Sequence, residues 1–126
     1  MSLASEALAI YAQRVRSFID TALVGRKRPE DKVRALFSAC AKRVRESGYL
    51  KSCAVGTVSL DLDGDTARLQ PVLADTLDQW VDCIAAHFDF GDARRTRAFA
   101  SLALTAIEGA YVRCRAEHSE KAFTEA

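Results

Sequence analysis

Apolar residues recur at steps of three and four positions along most of the chain, a spacing that places them on one face of an α-helix. The chain therefore reads as a series of amphipathic helices separated by short polar breaks. The four longest stripes predict helices over residues 5–24, from Pro29 to Gly48, over residues 66–88 and over residues 92–117. A short tail from Ser119 is compatible with one more helix.

The segment SCAVGTVSLDLDGD, residues 52–65, fits two patterns at once. Apolar and polar residues alternate over positions 57–62, which is typical of a strand. Val55, Val58 and Leu62, however, also fall at helical spacing. A strand would need a partner to bond its backbone groups, and the sequence offers no second strand candidate. The segment is therefore predicted to be a short helix.

Capping residues refine where two of these helices begin. Ser52 is suited to cap the short helix, because its hydroxyl can accept a hydrogen bond from a free backbone N–H. Thr66 or Asp65 is suited to the same role for the next helix. Pro71 belongs in a first helical turn, so the start of that helix is predicted to kink or to shift to Gln70.

Together these patterns predict an all-α fold, an antiparallel bundle of about five helices. With 126 residues the chain is long enough for one domain with its own core, and 49% of the residues are hydrophobic. No stretch reaches the roughly 18 apolar residues of a membrane span. The start MSLASEALAI lacks the features of a signal peptide, so we expect a cytoplasmic protein without a membrane partner.

Charge is balanced overall but unevenly placed. The net charge of +1 does not suit general binding to phosphate backbones. Residues 26–45 carry eight basic and two acidic side chains, while residues 61–92 carry eight aspartates opposed by Arg68 alone. The two regions are interpreted as solvated faces of opposite sign, with a docking surface as the alternative.

Metal sites find little support in the sequence. The four cysteines are widely spaced, and we expect free, buried thiols. Two Cys-x-x-x-His pairs, at 83/87 and at 114/118, belong to opposite ends of antiparallel helices roughly 40 Å apart, too far for one zinc ion. The run DLDGD at residues 61–65 lacks the glycine and glutamate that a calcium loop needs at its sixth and twelfth positions. No metal or other cofactor is predicted.

Catalytic signatures are missing as well. The sequence contains no G-x-S-x-G elbow, no P-loop and no G-x-G-x-x-G run. Glu108 lies in the most apolar helix, where a buried carboxylate needs a partner or a proton. It can serve as an interhelical hydrogen-bonding group or as a polar anchor in a ligand cavity. No residue is predicted to be catalytic.

The last long helix is unusually apolar. Between Ala98 and Cys114 only five residues are not apolar, so the helix is predicted to be buried on nearly all sides. One small chain cannot cover it completely, and we therefore expect a homodimer formed through the last two long helices. The candidate interface residues are Ala103, Ala106, Ile107, Gly109, Ala110 and Tyr111.

The order of segments resembles the C-terminal, ligand-binding domain of TetR/AcrR-type transcriptional repressors, with LmrA/YxaF-like regulators as the most similar subgroup. The resemblance is carried by SGYLKSCAVGTVSLDL, LADTLDQWVDCIAAHF and AFASLALTAIEGAYVRCRAEHSEKAF, over about residues 30–126. In that subgroup a Gly-Cys element opens a short helix with an acidic end, and a Glu-Gly pair sits in the last helix. Cys53, Asp61, Glu108 and Gly109 match these features, whereas Ser52 replaces the usual glycine.

The resemblance implies a regulatory mechanism. A small hydrophobic or cationic effector would enter a cavity between the helices and shift the first helix, releasing the dimeric repressor from its operator. DNA would be contacted only through an N-terminal helix-turn-helix domain, which is absent from residues 1–126. The candidate ligand-binding residues are Tyr11, Phe18, Phe37, Tyr49, Trp80 and Glu108.

Two other functions stay open from the residues alone. The charged faces could belong to a helical protein-interaction module without a small-molecule ligand. A small helical enzyme with Glu108 as its base would require a carboxylate of raised pKa next to a second polar group.

Overall fold

A computed structural model describes residues 2–50, 53–60, 62–64 and 66–125. It contains helices α1 (Leu3–Leu23), α2 (Pro29–Glu46), α3 (Ala54–Leu60), α4 (Gln70–Ala85), α5 (Ala93–Glu117) and α6 (Lys121–Thr124). Over these described ranges there is no strand, which confirms the predicted all-α fold. The ambiguous segment is helical over 54–60, as predicted, because backbone bonding within a helix needs no partner strand.

Local signals mark the starts of α1, α4 and α5. The Ser2 hydroxyl caps α1 by accepting a hydrogen bond from the backbone N–H of Ser5 at 3.1 Å. Asp92 caps α5 in the same way, through the N–H of Arg94 at 2.8 Å. With Pro71 in its first turn, α4 begins at Gln70, as one of the two predictions had it. The predicted caps Ser52 and Asp65 lie outside the described residues.

Helix α4 is shorter than its apolar stripe predicts, and this corrects the expected end at residue 88. The helix stops at Ala85, and the chain continues in turns toward α5. Phe88 nevertheless stays buried, because its ring packs against that of Phe99 with 5.0 Å between the two ring centroids. The apolar pattern therefore marks a core position beyond the helix end rather than a further turn of helix.

The core lies where α1, α2, α4 and α5 meet. Val44, Val55, Ile84 and Cys114 have no exposed surface. Trp80 is 1% exposed and ties two helices together, because its indole N–H donates to the backbone carbonyl of Ala12 at 3.1 Å. The short α6 folds back onto the bundle and packs against α2 and α5.

One face of α5 is open to solvent within the single chain, in keeping with the expectation that one small chain cannot cover this helix completely. Six of its exposed positions form a stripe at alternating three- and four-residue steps. We name it the α5 stripe; it comprises Ala98, Leu102, Thr105, Gly109, Val112 and Ala116. Its large members Leu102 and Val112 are 67% and 59% exposed.

The six candidate interface residues divide between the two sides of α5. Ala106 and Gly109 are exposed and Ala103 is half-buried. Ile107, Ala110 and Tyr111, by contrast, are buried against their own chain, because α5 turns that side toward α2, α4 and α6.

Candidate functional site

An internal cavity of about 30 Å³ lies between α1, α2, α4 and α5. Four of the six predicted ligand-binding residues line it: Tyr11, Phe18, Trp80 and Glu108. The remaining lining residues are Val15, Ile19, Leu36, Cys40, Arg43, Cys53, Ile84, Leu104, Ile107 and Tyr111. The cavity wall is thus mainly apolar and aromatic, with a few polar groups, as small-molecule sites usually are.

The size of the cavity limits what it holds in this conformation. A single water needs roughly 10–15 Å³, so the space fits about two waters. Sites for drug-sized ligands are about 300–1,000 Å³. A small-molecule ligand therefore requires neighbouring side chains or helices to move apart.

Phe37 and Tyr49 do not line the cavity. The Phe37 ring packs edge-on against Phe123 of α6, with 6.0 Å between centroids. Tyr49 follows α2 in a left-handed backbone conformation, and its ring lies 4.6 Å from that of His118 at the end of α5. Phe37 thus connects α2 with α6, and Tyr49 connects the segment after α2 with the end of α5.

Arg43 is the polar residue of the cavity that the sequence analysis missed. It is half-buried, and its guanidinium interacts with the hydroxyl groups of Tyr11 and Tyr111 and lies 5.8 Å from the Phe18 ring centroid. Burial lowers the pKa of Arg43 while Tyr111 and Tyr11 raise it, and the net rise keeps the group charged. A usable signal existed, because Arg43 follows Cys40 by three positions on the apolar face of α2.

Tyr11 connects three elements at this point. Its hydroxyl accepts a hydrogen bond from the backbone N–H of Ala54, the first residue of α3, at 3.2 Å. The same hydroxyl interacts with Arg43 of α2, and the ring packs edge-on against Trp80 of α4 with 6.1 Å between centroids. Burial raises the pKa of Tyr11, so its hydroxyl is protonated near neutral pH. A movement of α1 therefore cannot occur without changes at α2 and α3.

Glu108 occupies the other side of the cavity, next to α3. Burial raises the pKa of Glu108, and a hydrogen bond with the Cys53 thiol lowers it in part. Burial and the carboxylate in turn raise the pKa of Cys53 to about 12, so the thiol stays protonated and can donate. A Cβ at Gly56 would lie 2.8 Å from Oε2 of Glu108, so the close approach of the carboxylate to α3 depends on glycine there.

A second depression, with a volume of about 630 Å³, runs along the outer surface between α3 and α5. We name it the α3–α5 groove. Leu60, Gly109 and Val112 are among its lining residues, and it shares Cys53 and Glu108 with the internal cavity. The Cys53–Glu108 pair therefore forms part of the wall between the cavity and the surface.

Of the two Cys-x-x-x-His pairs, Cys83 and His87 both contact Asp20. His87 Nε2 lies 2.7 Å from Oδ1 of Asp20, and the Cys83 thiol donates to the same oxygen at 3.5 Å. Over the described part of the chain, no group of three or more His, Cys, Asp or Glu side chains is arranged to hold a metal ion. The DLDGD run begins and ends on residues outside the described ranges.

A sequence model of the C-terminal domain of LmrA/YxaF-like transcriptional regulators matches residues 29–126. The chain belongs to this family. The family assignment confirms the resemblance to TetR-type regulators and supports a regulatory domain. The match includes α2 to α6, whereas α1, which contributes Tyr11 and Phe18 to the cavity, precedes it.

Comparisons with curated proteins and with solved structures returned no match. Among the helices of the described residues, none is both long and apolar enough to cross a membrane.

Proposed function

We propose that the chain is the effector-binding and dimerisation domain of a TetR-type repressor. A small molecule in the internal cavity would release the full-length protein from its operator. The observation that carries the proposal is that α1 supplies four residues to the cavity wall, so a ligand there contacts the helix nearest the N-terminus. Such a regulator acts on DNA in the cytoplasm, through a helix-turn-helix domain joined ahead of α1.

The coupling runs through Tyr11. A ligand large enough to occupy the cavity has to displace side chains, and Tyr11 holds the start of α3 and touches Arg43. Its displacement would free α1 to move relative to α2 and α3. For this movement to release DNA, the ligand must bind the moved conformation more tightly than the DNA-competent one.

Direct binding tests the sensor proposal, and the protein carries its own reporter. Trp80 is the only tryptophan, and it lines the cavity. We expect a hit from a broad library of small apolar compounds to change Trp80 fluorescence and to raise the melting temperature. Complete absence of stabilisation by any compound in such a library would refute the sensor function.

A homodimer is the second part of the proposal, and the α5 stripe supports it. The stripe exposes Leu102 and Val112 beside the small residues Gly109 and Ala116, which allow close approach of a second helix. Burying such a stripe against its copy removes apolar surface from water on both subunits. Ala103 and Ala106 flank it, while Ile107, Ala110 and Tyr111 would support the interface from below.

Sedimentation equilibrium tests the dimer with a matched pair of variants. We expect Val112→Glu to convert the dimer into a monomer, because it places a charge in the interface. Ile10→Glu introduces the same charge at a site on α1 that is equally exposed, 58% against 59%, and should leave the dimer intact. A monomeric wild-type protein at high concentration would favour a protein-interaction module, since the α5 stripe would then be free to receive another protein.

A further inference from the structure

We infer that the effector is an organic acid, whose carboxylate binds Arg43 between the hydroxyls of Tyr11 and Tyr111 while its apolar body lies against Trp80. This inference deepens the proposed sensor function and rests on it. The resemblance to TetR-type repressors implied a hydrophobic or cationic effector, whereas the effector inferred here is an anion.

The first argument for an anionic effector is the charge of the residues that line the cavity. Only two residues that line the cavity have side chains that are ordinarily charged at neutral pH. They are Arg43 and Glu108. In the described part of the chain, no carboxylate lies within ion-pair distance of Arg43; its partners are the two tyrosines and the Phe18 ring. Arg45, two positions further on and outside the cavity, is paired with Glu120.

Glu108 can become neutral by binding a proton, whereas Arg43 stays charged, and this difference determines which charge the ligand is expected to carry. Glu108 already accepts from the Cys53 thiol, and burial favours its neutral, protonated form. A guanidinium cannot shed its proton in a protein, so a half-buried arginine keeps its charge. The charge without a counter-ion in this cavity is therefore positive, and a ligand anion would compensate it.

The geometry around Arg43 suits a carboxylate. Guanidinium groups bind carboxylates through paired N–H donors, which are stronger than neutral hydrogen bonds. The hydroxyls of Tyr11 and Tyr111 flank the guanidinium and can donate to the same anion. The apolar walls from Ile84, Leu104 and Trp80 then accept an aromatic or aliphatic body.

Binding of the carboxylate also connects to α1. An anion that draws Arg43 and the Tyr11 hydroxyl toward itself competes with the bond from Ala54 N–H. The first turn of α3 and the middle of α1 would then separate. The acidic head of the ligand thus acts on the same contact that the proposed release mechanism uses.

Three matched compounds test the inference: 3-phenylpropanoate, its primary amide and 3-phenylpropylammonium. They share the phenyl body and differ in charge. At pH 7.5, Trp80 fluorescence titration of the whole chain should give an affinity for the acid at least tenfold above those for the amide and the ammonium. The acid should also raise the melting temperature, while the other two should not.

Arg43→Met removes the charge and keeps an apolar stem, and it should reduce the affinity for the acid at least tenfold. Lys42→Met removes a neighbouring charge that is exposed outside the cavity, and it should leave the affinity unchanged. Circular dichroism melting establishes that each variant is folded. Arg43→Lys keeps the charge without the planar fork, and should retain part of the preference for the acid.

The possible outcomes distinguish a failure of the anionic effector from a failure of the proposed sensor function. Equal or tighter binding of the amide or the ammonium would overturn the anionic effector and leave the sensor function standing. So would an affinity for the acid that survives Arg43→Met. Tighter ammonium binding that is lost in Glu108→Gln would identify Glu108 as the charge that selects the ligand. If these three compounds and a broad library of every charge all fail to bind, the sensor function falls as well.

Discussion

Gly56 offers the sharpest check on the packing between α3 and α5. Alanine inside a helix is normally better than glycine by about 1 kcal/mol, because it restricts the unfolded chain. At Gly56, however, the new Cβ would lie 2.8 Å from Oε2 of Glu108 and 3.8 Å from Cβ of Cys53. Only the first distance is shorter than ordinary van der Waals contact, so the carboxylate alone opposes the methyl group.

The magnitude follows from these two opposing effects. The carboxylate is the flexible end of a side chain and must move aside for the methyl group, and losing its hydrogen bond with the Cys53 thiol in this buried site costs about 1–3 kcal/mol. After the helix gain of about 1 kcal/mol, we expect Gly56→Ala to lower the free energy of unfolding by about 0–2 kcal/mol. In a Glu108→Ala background nothing closer than the Cys53 contact remains, so Gly56→Ala should instead raise it by about 1 kcal/mol. The interaction free energy of the pair is therefore about 1–3 kcal/mol.

Urea unfolding of the four proteins measures this cycle. Each is followed by Trp80 fluorescence and by circular dichroism at pH 7.5, at one protein concentration, because the proposed dimerisation would shift apparent stability. The Glu108→Ala background is the internal control for helix propensity. If Gly56→Ala stabilises both backgrounds equally, the carboxylate does not lie against α3, and the described wall between cavity and groove is wrong.

Three further predictions concern the core, the thiols and acid stability. Trp80→Phe removes the indole hydrogen bond to Ala12 and some packing, so we expect it to lower the free energy of unfolding by about 2 kcal/mol. Unfolding followed by circular dichroism measures this loss, and an unchanged midpoint would contradict the buried indole. Burial and Glu108 raise the pKa of Cys53 to about 12. Iodoacetamide at pH 8 should therefore alkylate Cys53 much more slowly in the native protein than in urea, and equal rates by mass spectrometry would disprove this. A hydrogen bond with His87 lowers the pKa of Asp20 in the folded protein. The ionised Asp20 therefore stabilises the fold fully above the unfolded pKa of about 4, and this stabilisation is lost as the pH falls through the lower pKa of the folded state. Asp20→Asn should flatten this acid-dependent loss in urea midpoints between pH 6 and 2, and an unchanged profile would exclude the pair as its source.

The helix positions could be predicted because their signals are local. Pro29 and Pro71 fit first turns through their fixed φ, and Asp92 accepts from an N–H two residues away. The helical form of 54–60 followed from elimination, since a strand without a partner leaves backbone groups unbonded. Such rules depend on neighbours in the sequence, so the tertiary structure had little to change.

The site was predicted in part, because periodicity shows which residues share a face but not what that face meets. Phe18 and Phe37 both lie on apolar faces of neighbouring helices, yet only Phe18 reaches the cavity. Phe37 is covered by Phe123, since α6 folds back onto α2. Arg43 was overlooked because a charged residue at the margin of an apolar stripe usually points to solvent.

The sequence by itself determined an all-α chain, the approximate ends of its helices and, through resemblance, its family. Only the tertiary structure decided which side chains enclose the cavity and which side of α5 is exposed. It also showed that Arg43 brings into the cavity a charge with no carboxylate partner among the described residues. The physical reason is that helix formation depends on capping and periodicity within a few residues, whereas a cavity depends on how helices distant in sequence are rotated and packed against one another.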